Sequence, residues 1–389
     1  MRLLHTSDWH LGRSLHRCDL RAAQADFLDS LVQVVRSERV DAVLVSGDVY
    51  DRAVPPVDAV ELCESALVRL REAGARVVLI SGNHDSARRL GFGSRLVDAA
   101  GVHLRTRVAD CADPVLLADA HGEVAVYGVP YLEPEAVRGE LPADPADPTA
   151  APPRGHPGVL GRGLSCVRSD LVTRSTGRSV VLAHAWVSGG AASESERDVT
   201  VGGVAQVPAA LFDGFTYTAL GHLHGPQVLA DGLRYSGSPL AYSFSEAAHV
   251  KGSWLVELDA AGLAHVEHVP APVPRRLSSV RGSLDELLTS AAFEDRRADW
   301  LTVVYTDPAR PDNAMERLSA RFPHILVLRH EPVGAATDGL SYGARITGRS
   351  DLEIGGAFVQ HVRRTVLEPA ERVLLEQALE AGRLAAAGA

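Results

Sequence analysis

Five short clusters of carboxylate, amide and imidazole side chains recur along the chain: Asp8-x-His10, Gly47-Asp48, Gly82-Asn83-His84-Asp85, His184 and Gly221-His222-x-His224. Mixed oxygen and nitrogen donors of this kind suit Mn²⁺, Fe²⁺ or Zn²⁺ better than Ca²⁺ or Mg²⁺ alone. There are enough donors for two cations, and paired cations about 3.5–4 Å apart are a standard device for cleaving phosphate esters. Each cluster alone also has a plainer reading. A strand-end Asp8 can cap a helix, Gly47-Asp48 is an ordinary turn, Asn83 tolerates left-handed backbone, and a lone His184 is more often a satisfied polar residue than a ligand. The run at 82–85 is sharper, because three polar side chains in a row is an odd way to leave a buried strand. Taken in order, each after an apolar β-branched run, the five clusters make coincidence a poor explanation.

Those apolar runs are the elements that must position the donors. Arg2–His5 reads as a strand ending at Asp8-x-His10, and Leu20–Arg36 has helical apolar spacing. Ala42–Val45 is a buried strand delivering Gly47-Asp48. Val57–Glu72 is a helix started by Pro55-Pro56, and Arg76–Ile80 is the strand before Gly82. Such βαβ units predict adjacent strands with helices on the sheet faces and chemistry at the strand ends. Val180–Leu182 leads to His184, and Tyr217–Leu220 leads to His222 and His224; Trp254–Leu258 and Ala264–Val269 read as closing strands. Glu140–Gly163 is dense in Pro, Gly, Ala and Asp, which predicts a mobile insertion. Pro270–Pro274 reads as a hinge. Residues 275–333 repeat a strand and helix pattern without donor clusters, and Gly334–Gly348 is a second linker. The tail (349–389) is expected to be helical from Asp351, with Phe358, Val359, Val362 and Val366 on one stripe, and a second helix starts at Pro369.

A chain of 389 residues is too long for one ordinary core, and 46% hydrophobic with 23% charged residues is ordinary for a globular protein. The net charge of −10 argues mildly against nucleic acid. Two facts weaken that objection: several acids would sit beneath cations, and Arg13, Arg17, Arg88, Arg89 and Arg95 gather near the clusters. No apolar run approaches the ~20 residues of a membrane helix, and the N-terminus turns polar too soon for a signal peptide. The four scattered cysteines, Cys18, Cys63, Cys111 and Cys166, read as reduced thiols. A cytoplasmic enzyme without a membrane partner fits these features.

The ordered motifs D-x-H, G-D, G-N-H-[DE], H and G-H-x-H resemble the calcineurin-like metallophosphoesterase superfamily over roughly residues 1–270. Within it, the opening His5–Gly12, the segment Gly47–Asp51 followed by Pro55-Pro56, and Tyr235–Leu240 look like the SbcD family of nuclease subunits. The resemblance implies an α/β fold: a layered α/β/β/α metallophosphoesterase core over 1–270, a smaller α/β capping domain over 275–333, and a helical tail over 349–389. It implies two divalent cations, Mn²⁺ foremost, with Asp8, His10 and His224 on one, Asn83, His184 and His222 on the other, and Asp48 bridging. His84 would contact the scissile phosphate and protonate the leaving oxygen, and Asp85 would fix its ring. Arg13, Arg17, Arg88 and Arg89 would contact substrate. Where archaeal and eukaryotic relatives often carry a histidine, this chain has Asp51.

The implied activity is DNA cleavage, as a 3′→5′ exonuclease on duplex ends and an endonuclease on single strands or hairpins. The same resemblance implies a homodimer joined to a coiled-coil ATPase, SbcC, through the tail helices, in a heterotetramer used in DNA repair and recombination. A phosphodiesterase or phosphatase acting on nucleotides or other small molecules would use the same donors, and a non-catalytic DNA-end scaffold would tolerate broken ones; none is broken here.

Overall fold

Neighbouring residues on the first strand enter different cores: Leu3 turns one way and Leu4 the other. Val43 and Leu44, and Val77 and Val78, divide in the same way, as the two-residue period of a strand requires. Both faces of these strands are therefore buried, which is why they read as unbroken apolar runs. The computed structural model describes residues 1–145, 147, 149, 151–174, 176–196, 206–333, 348–363 and 365–387. Two compact units divide it, Met1–Pro274 and Arg275–Ala389.

In the first unit the elements run β1 (Arg2–Thr6), β2 (Ser14–Leu15), β3 (Cys18–Asp19), α1 (Arg21–Glu38), β4 (Ala42–Ser46), α2 (Val57–Glu72) and β5 (Arg76–Ile80). Short helices α3 (Ala87–Leu90) and α4 (Ser94–Asp98), strands β6 (Val102–Arg105), β7 (Val115–Asp119) and β8 (Gly122–Val129), helices α5 (Pro134–Val137) and α6 (Gly155–Thr173), and β9 (Arg178–His184) follow. The unit closes with β10 (Tyr217–Gly221), β11 (Gln227–Ala230), β12 (Leu233–Tyr235), β13 (Gly252–Leu258) and β14 (Leu263–Pro270).

Two six-stranded sheets result, in the orders β14-β13-β1-β4-β5-β6 and β11-β12-β10-β9-β8-β7. Their facing residues, among them Leu44, Val78 and Ile80 on one and Val126, Val180, Leu182 and Ala219 on the other, form one shared core. The outer face of the first sheet is covered by Phe27, Leu28 and Leu31 of α1 and Cys63, Ala66 and Leu70 of α2. The outer face of the second is covered by Val159, Leu160, Leu164 and Val167 of α6. The layers are α/β/β/α, as expected. Within each sheet the central strands are parallel: β1, β4 and β5 in one, β8, β9, β10 and β12 in the other. The donor clusters therefore all leave the carboxyl ends of parallel strands.

The expected insertion at 140–163 needs correction, because from Gly155 it is the start of α6, with Val159, Leu160 and Arg162 buried. Glycine and proline density hid a helix whose apolar side chains seal the second sheet, and tertiary burial overrode local propensity. Strands β6, β7, β8, β11 and β12 are further elements that the sequence pattern did not single out.

The second unit holds a three-stranded parallel sheet of β15 (Leu277–Gly282), β16 (Trp300–Tyr305) and β17 (Ile325–His330), with α7 (Leu284–Thr289) and α8 (Ala314–Arg321). Val280, Leu287, Val303, Leu318 and Phe322 make its core. Helices α9 (Asp351–Arg363) and α10 (Pro369–Ala387) are clipped together by Arg363–Glu371 at 2.6 Å and Arg383–Asp351 at 2.6 Å. The stripe expected through Val366 is shorter than predicted: α9 ends at Arg363, and Phe358, Val362 and Val366 are all exposed. The expected linker at 334–347 lies outside the described residues.

Candidate metal centre

Five strand ends bring the clusters into one buried cage, with Asp8 after β1, Asp48 after β4, Asn83 after β5, His184 at the end of β9 and His222 after β10. Making that cage requires unusual backbone. Asp8 (φ 53°), His10 (φ 44°), Asp48 (φ 49°) and His222 (φ 105°) are four of the eight non-glycine residues with positive φ among the described residues. Such conformations cost of order 1–3 kcal/mol each and persist only where the surroundings impose them. The two sheets also approach closely here. A Cβ on Gly221 would collide with the Ser46 carbonyl oxygen, and one on Gly47 would collide with His184 Nδ1.

The donors face one another. The His10 and His224 Nε2 atoms are 3.1 Å apart. His184 Nε2 lies 2.9 Å from Asn83 Oδ1 and 3.6 Å from Asp48 Oδ2, and His222 Nδ1 lies 3.1 Å from the same Asn83 oxygen. His10 Nε2 is 3.6 Å from Asp48 Oδ2. Donor atoms of Asp8, His10 and His224 lie within 4.8 Å of one another, as do those of Asp8, Asp48 and His184 and those of His10, Asp48 and His84. Asp8 accepts from Ser7 Oγ at 2.5 Å and from the His222 amide at 3.1 Å, and Asp48 accepts from the His84 amide at 2.8 Å.

Hydrogen bonding decides which atoms are bare. His184 Nδ1 donates to the Ser46 carbonyl at 2.8 Å, because a carbonyl can only accept. Burial holds its ring pKa down to about 3, so the ring is neutral and Nε2 carries a lone pair. That lone pair points at two further acceptors, the Asn83 and Asp48 oxygens. His10 and His222 are likewise held well below the ordinary imidazole value, by burial and then by neighbouring imidazoles. Burial and then the Asp48 charge push the Asp8 carboxyl well above the usual range. Converging lone pairs and buried carboxylates repel one another unless cations lie between them. The residues present therefore fit a pair of divalent ions, and the expected ligands Asp8, His10, Asp48, Asn83, His184, His222 and His224 all contribute to this one cage.

His84 is buried beside the cage, its ring centroid 4.6 Å from that of His10 and its Nε2 3.9 Å from Asp48 Oδ2. Its Nδ1 donates to the Asp51 backbone carbonyl at 2.8 Å. The expectation that Asp85 fixes this ring is therefore corrected. The Asp85 carboxylate instead accepts from the amides of Val49 (3.1 Å), Tyr50 (2.9 Å) and Gly82 (2.9 Å). It braces the loop after β4 against the loop after β5. Burial and the Asp48 charge raise its pKa to about 7.

The arginines divide. Arg13 is turned inward, donating to the Ser195 carbonyl at 2.8 Å, lying 3.7 Å from Asp51 Oδ1 and 5.0 Å over the Tyr242 ring. Expected to contact substrate, Arg13 is committed through Nη2 to a protein carbonyl, while its Nη1 has no hydrogen-bond partner among the described residues. Arg17, Arg88 and Arg89 are exposed, and Arg89 donates to the Ala53 carbonyl at 3.0 Å.

Sequence reasoning missed the residues that hold His224: Ser195, Glu196, Glu246 and Lys251. Glu196 Oε1 accepts the His224 amide at 2.8 Å, and Lys251 Nζ donates to its carbonyl at 2.8 Å. The one signal available was the Tyr235–Leu240 motif. Its Ser236 hydroxyl lies 2.7 Å from Ser7 Oγ, and Ser238 Oγ accepts from Lys251 Nζ at 2.9 Å.

Residues 1–152 match the calcineurin-like phosphoesterase family, and residues 273–362 match the SbcD_C family, described as the type 5 capsule protein repressor C-terminal domain. Among solved structures, a dimetal phosphatase from Danio rerio is 16% identical with a TM-score of 0.39, covering 70% of this chain and 99% of its own. GAP50, the anchor in the inner membrane complex of Plasmodium, is 10% identical with a TM-score of 0.40, covering 86% of this chain and 98% of its own. No described helix is long and apolar enough to cross a membrane.

Proposed function

We propose that this chain is a two-metal DNA nuclease, with Mn²⁺ the first choice of ion, cutting duplex ends 3′→5′ and single strands or hairpins internally. It is read as the nuclease subunit of an SbcCD-type complex, working as a dimer with an SbcC-like coiled-coil ATPase. The observation that carries the hydrolase reading is the convergence of seven donor side chains from five strand ends beside one further imidazole, His84. The match of residues 273–362 to the SbcD_C family supports the nuclease context over a small-molecule hydrolase.

In this reading Asp8, His10 and His224 hold one cation, Asn83, His184 and His222 the other, and Asp48 is shared. When bound, two divalent ions supply positive charge to the phosphoryl oxygens and lower the pKa of water. The protein's own part is to hold the donors in place and to handle the proton of the leaving group. His84 suits the proton-handling role. Its Nδ1–H is committed to the Asp51 carbonyl, so a proton for the leaving oxygen must sit on Nε2, the atom nearer the cage. The exposed Arg17, Arg88 and Arg89 are proposed to meet backbone phosphates, which orient a duplex without reading sequence. The exposed Phe358 and Val362 on α9 are proposed to dock the ATPase.

The test is incubation with Mn²⁺ and an end-labelled duplex, beside a nucleotide phosphodiester. Shortening of the duplex from its 3′ ends, abolished by chelation, supports the nuclease. Turnover of the small diester alone would transfer the protein to the small-molecule phosphodiesterases. Truncation before Asp351 tests the docking helices, and retained ATPase binding would refute that part.

A further inference from the structure

His224 is gripped at its amide, its carbonyl and its Nδ1. Its amide donates to Glu196, and its carbonyl accepts from Lys251 Nζ and, at 3.1 Å, from the Ser238 amide. Its Nδ1 lies 2.6 Å from Ser195 Oγ and 3.3 Å from Glu246 Oε1. The Ser195 hydroxyl gives its single proton to Glu246 Oε1, so its oxygen can only accept from His224. Nδ1 is thereby fixed as a donor, and Nε2 is the ring atom that faces His10. The contrast with His10 is direct: its Nδ1 finds no hydrogen-bond partner among the described residues.

The group at the centre of this grip is an ion pair, Glu246 with Lys251, at 1% and 7% exposure. Both charges have left water. Such a pair is commonly no more stabilising than apolar residues of the same volume, so stability alone gives little reason for it to be here. Its contacts supply another. Glu246 Oε1 acts on the ring nitrogen, while Lys251, held by Glu246 Oε2, acts on the backbone carbonyl of the same histidine. One buried salt bridge thus fixes a ligand's ring orientation, its tautomer and its main chain together.

We infer that Glu246 and Lys251, acting through Ser195, are positioning residues that preset His224 as an Nε2 ligand to one of the two cations. The inference rests on the two-metal reading above and deepens it. Partners of ligating histidines typically contribute 10–100-fold to metal affinity or activity. The effect here should fall on one cation site only, because the grip touches His224 and none of Asn83, His184 or His222.

The experiment is titration of the metal-free full-length protein with Mn²⁺, read by calorimetry and by electron paramagnetic resonance of paired ions. It compares wild type with Glu246→Leu/Lys251→Met, which removes both charges and leaves neither unpaired, and with Glu246→Gln/Lys251→Met, which restores an acceptor for Nδ1. The expected result is two sites in wild type and about 10–100-fold weakening of one site in the Leu/Met variant. Affinity should partly recover in the Gln/Met variant, and activity should return at high Mn²⁺. Folded variants that bind two ions with wild-type affinity would overturn the proposal. If the double variants do not fold, Ser195→Ala decides: several-fold weaker binding at one site supports the proposal, and unchanged binding overturns it. Wild-type protein that binds no Mn²⁺ would end the two-metal reading itself, a result visible before any variant is made.

Discussion

Substituting Gly221 by alanine tests whether the cage depends on close approach of the two sheets. A Cβ there meets the Ser46 carbonyl oxygen at collision distance and His184 Nδ1 at 3.0 Å. The obstruction is backbone, so it cannot be relieved by rotating a side chain. Forcing an extra carbon into a filled interior costs about 1–3 kcal/mol. Losing the 2.8 Å bond from His184 to Ser46 removes about 1 kcal/mol more, while replacing glycine stabilises by about 0.4–1 kcal/mol through the unfolded chain. The net is a loss of roughly 1–3.6 kcal/mol, which lowers the melting temperature by roughly 2–14 °C at about 2–4 °C per kcal/mol. The same displacement separates Asp48, two residues after Ser46, from His222, one residue after Gly221, so Mn²⁺ affinity falls with it. Thermal denaturation and Mn²⁺ titration measure both. Gly177→Ala, where an added carbon meets nothing within 4 Å, is the control. A Gly221→Ala protein with wild-type melting and wild-type Mn²⁺ affinity would refute the reasoning.

Other substitutions separate the remaining roles. Asp85→Asn loosens the brace between the Asp48 and Asn83 loops, so Mn²⁺ binding should weaken about 10–100-fold and activity return with excess Mn²⁺; a lowered kcat with unchanged binding would restore the ring-orienting role. His84→Ala should lower kcat by about 10²–10⁴-fold while both ions still bind, and full activity would dismiss it as the proton donor. Burial holds the His5 ring down to about 3 from an ordinary 6.5, so below 6.5 the unfolded chain takes up a proton that the folded chain refuses. Its stabilising contribution is complete above that value and is lost as the pH falls towards 3. Between about pH 6.5 and 5, ion-free wild type should lose about 2 kcal/mol more than His5→Gln, measured by denaturant unfolding; parallel curves would show that His5 titrates normally.

Much of the first unit is legible because each donor cluster follows a strand buried on both faces. Such strands read as continuous runs of Val, Leu and Ile, as in Val43–Val45 and Val77–Ile80. The helix α6 was hidden by the glycines and prolines around its start. Its Val159, Leu160, Leu164 and Val167 acquire meaning only against the sheet they cover.

The sequence by itself determined which side chains could bind cations and that they leave strand ends. The tertiary structure alone decided how those atoms are held. Asp85 is adjacent to His84 in the chain, yet its carboxylate serves the amides of another loop, and the His84 ring is fixed instead by the carbonyl of Asp51. Glu246 and Lys251 look like ordinary surface charges until folding buries them around His224. The physical reason is common to both cases. A buried polar group must find a partner, and which partner lies within about 3 Å is set by the packing of distant strands rather than by neighbours along the chain.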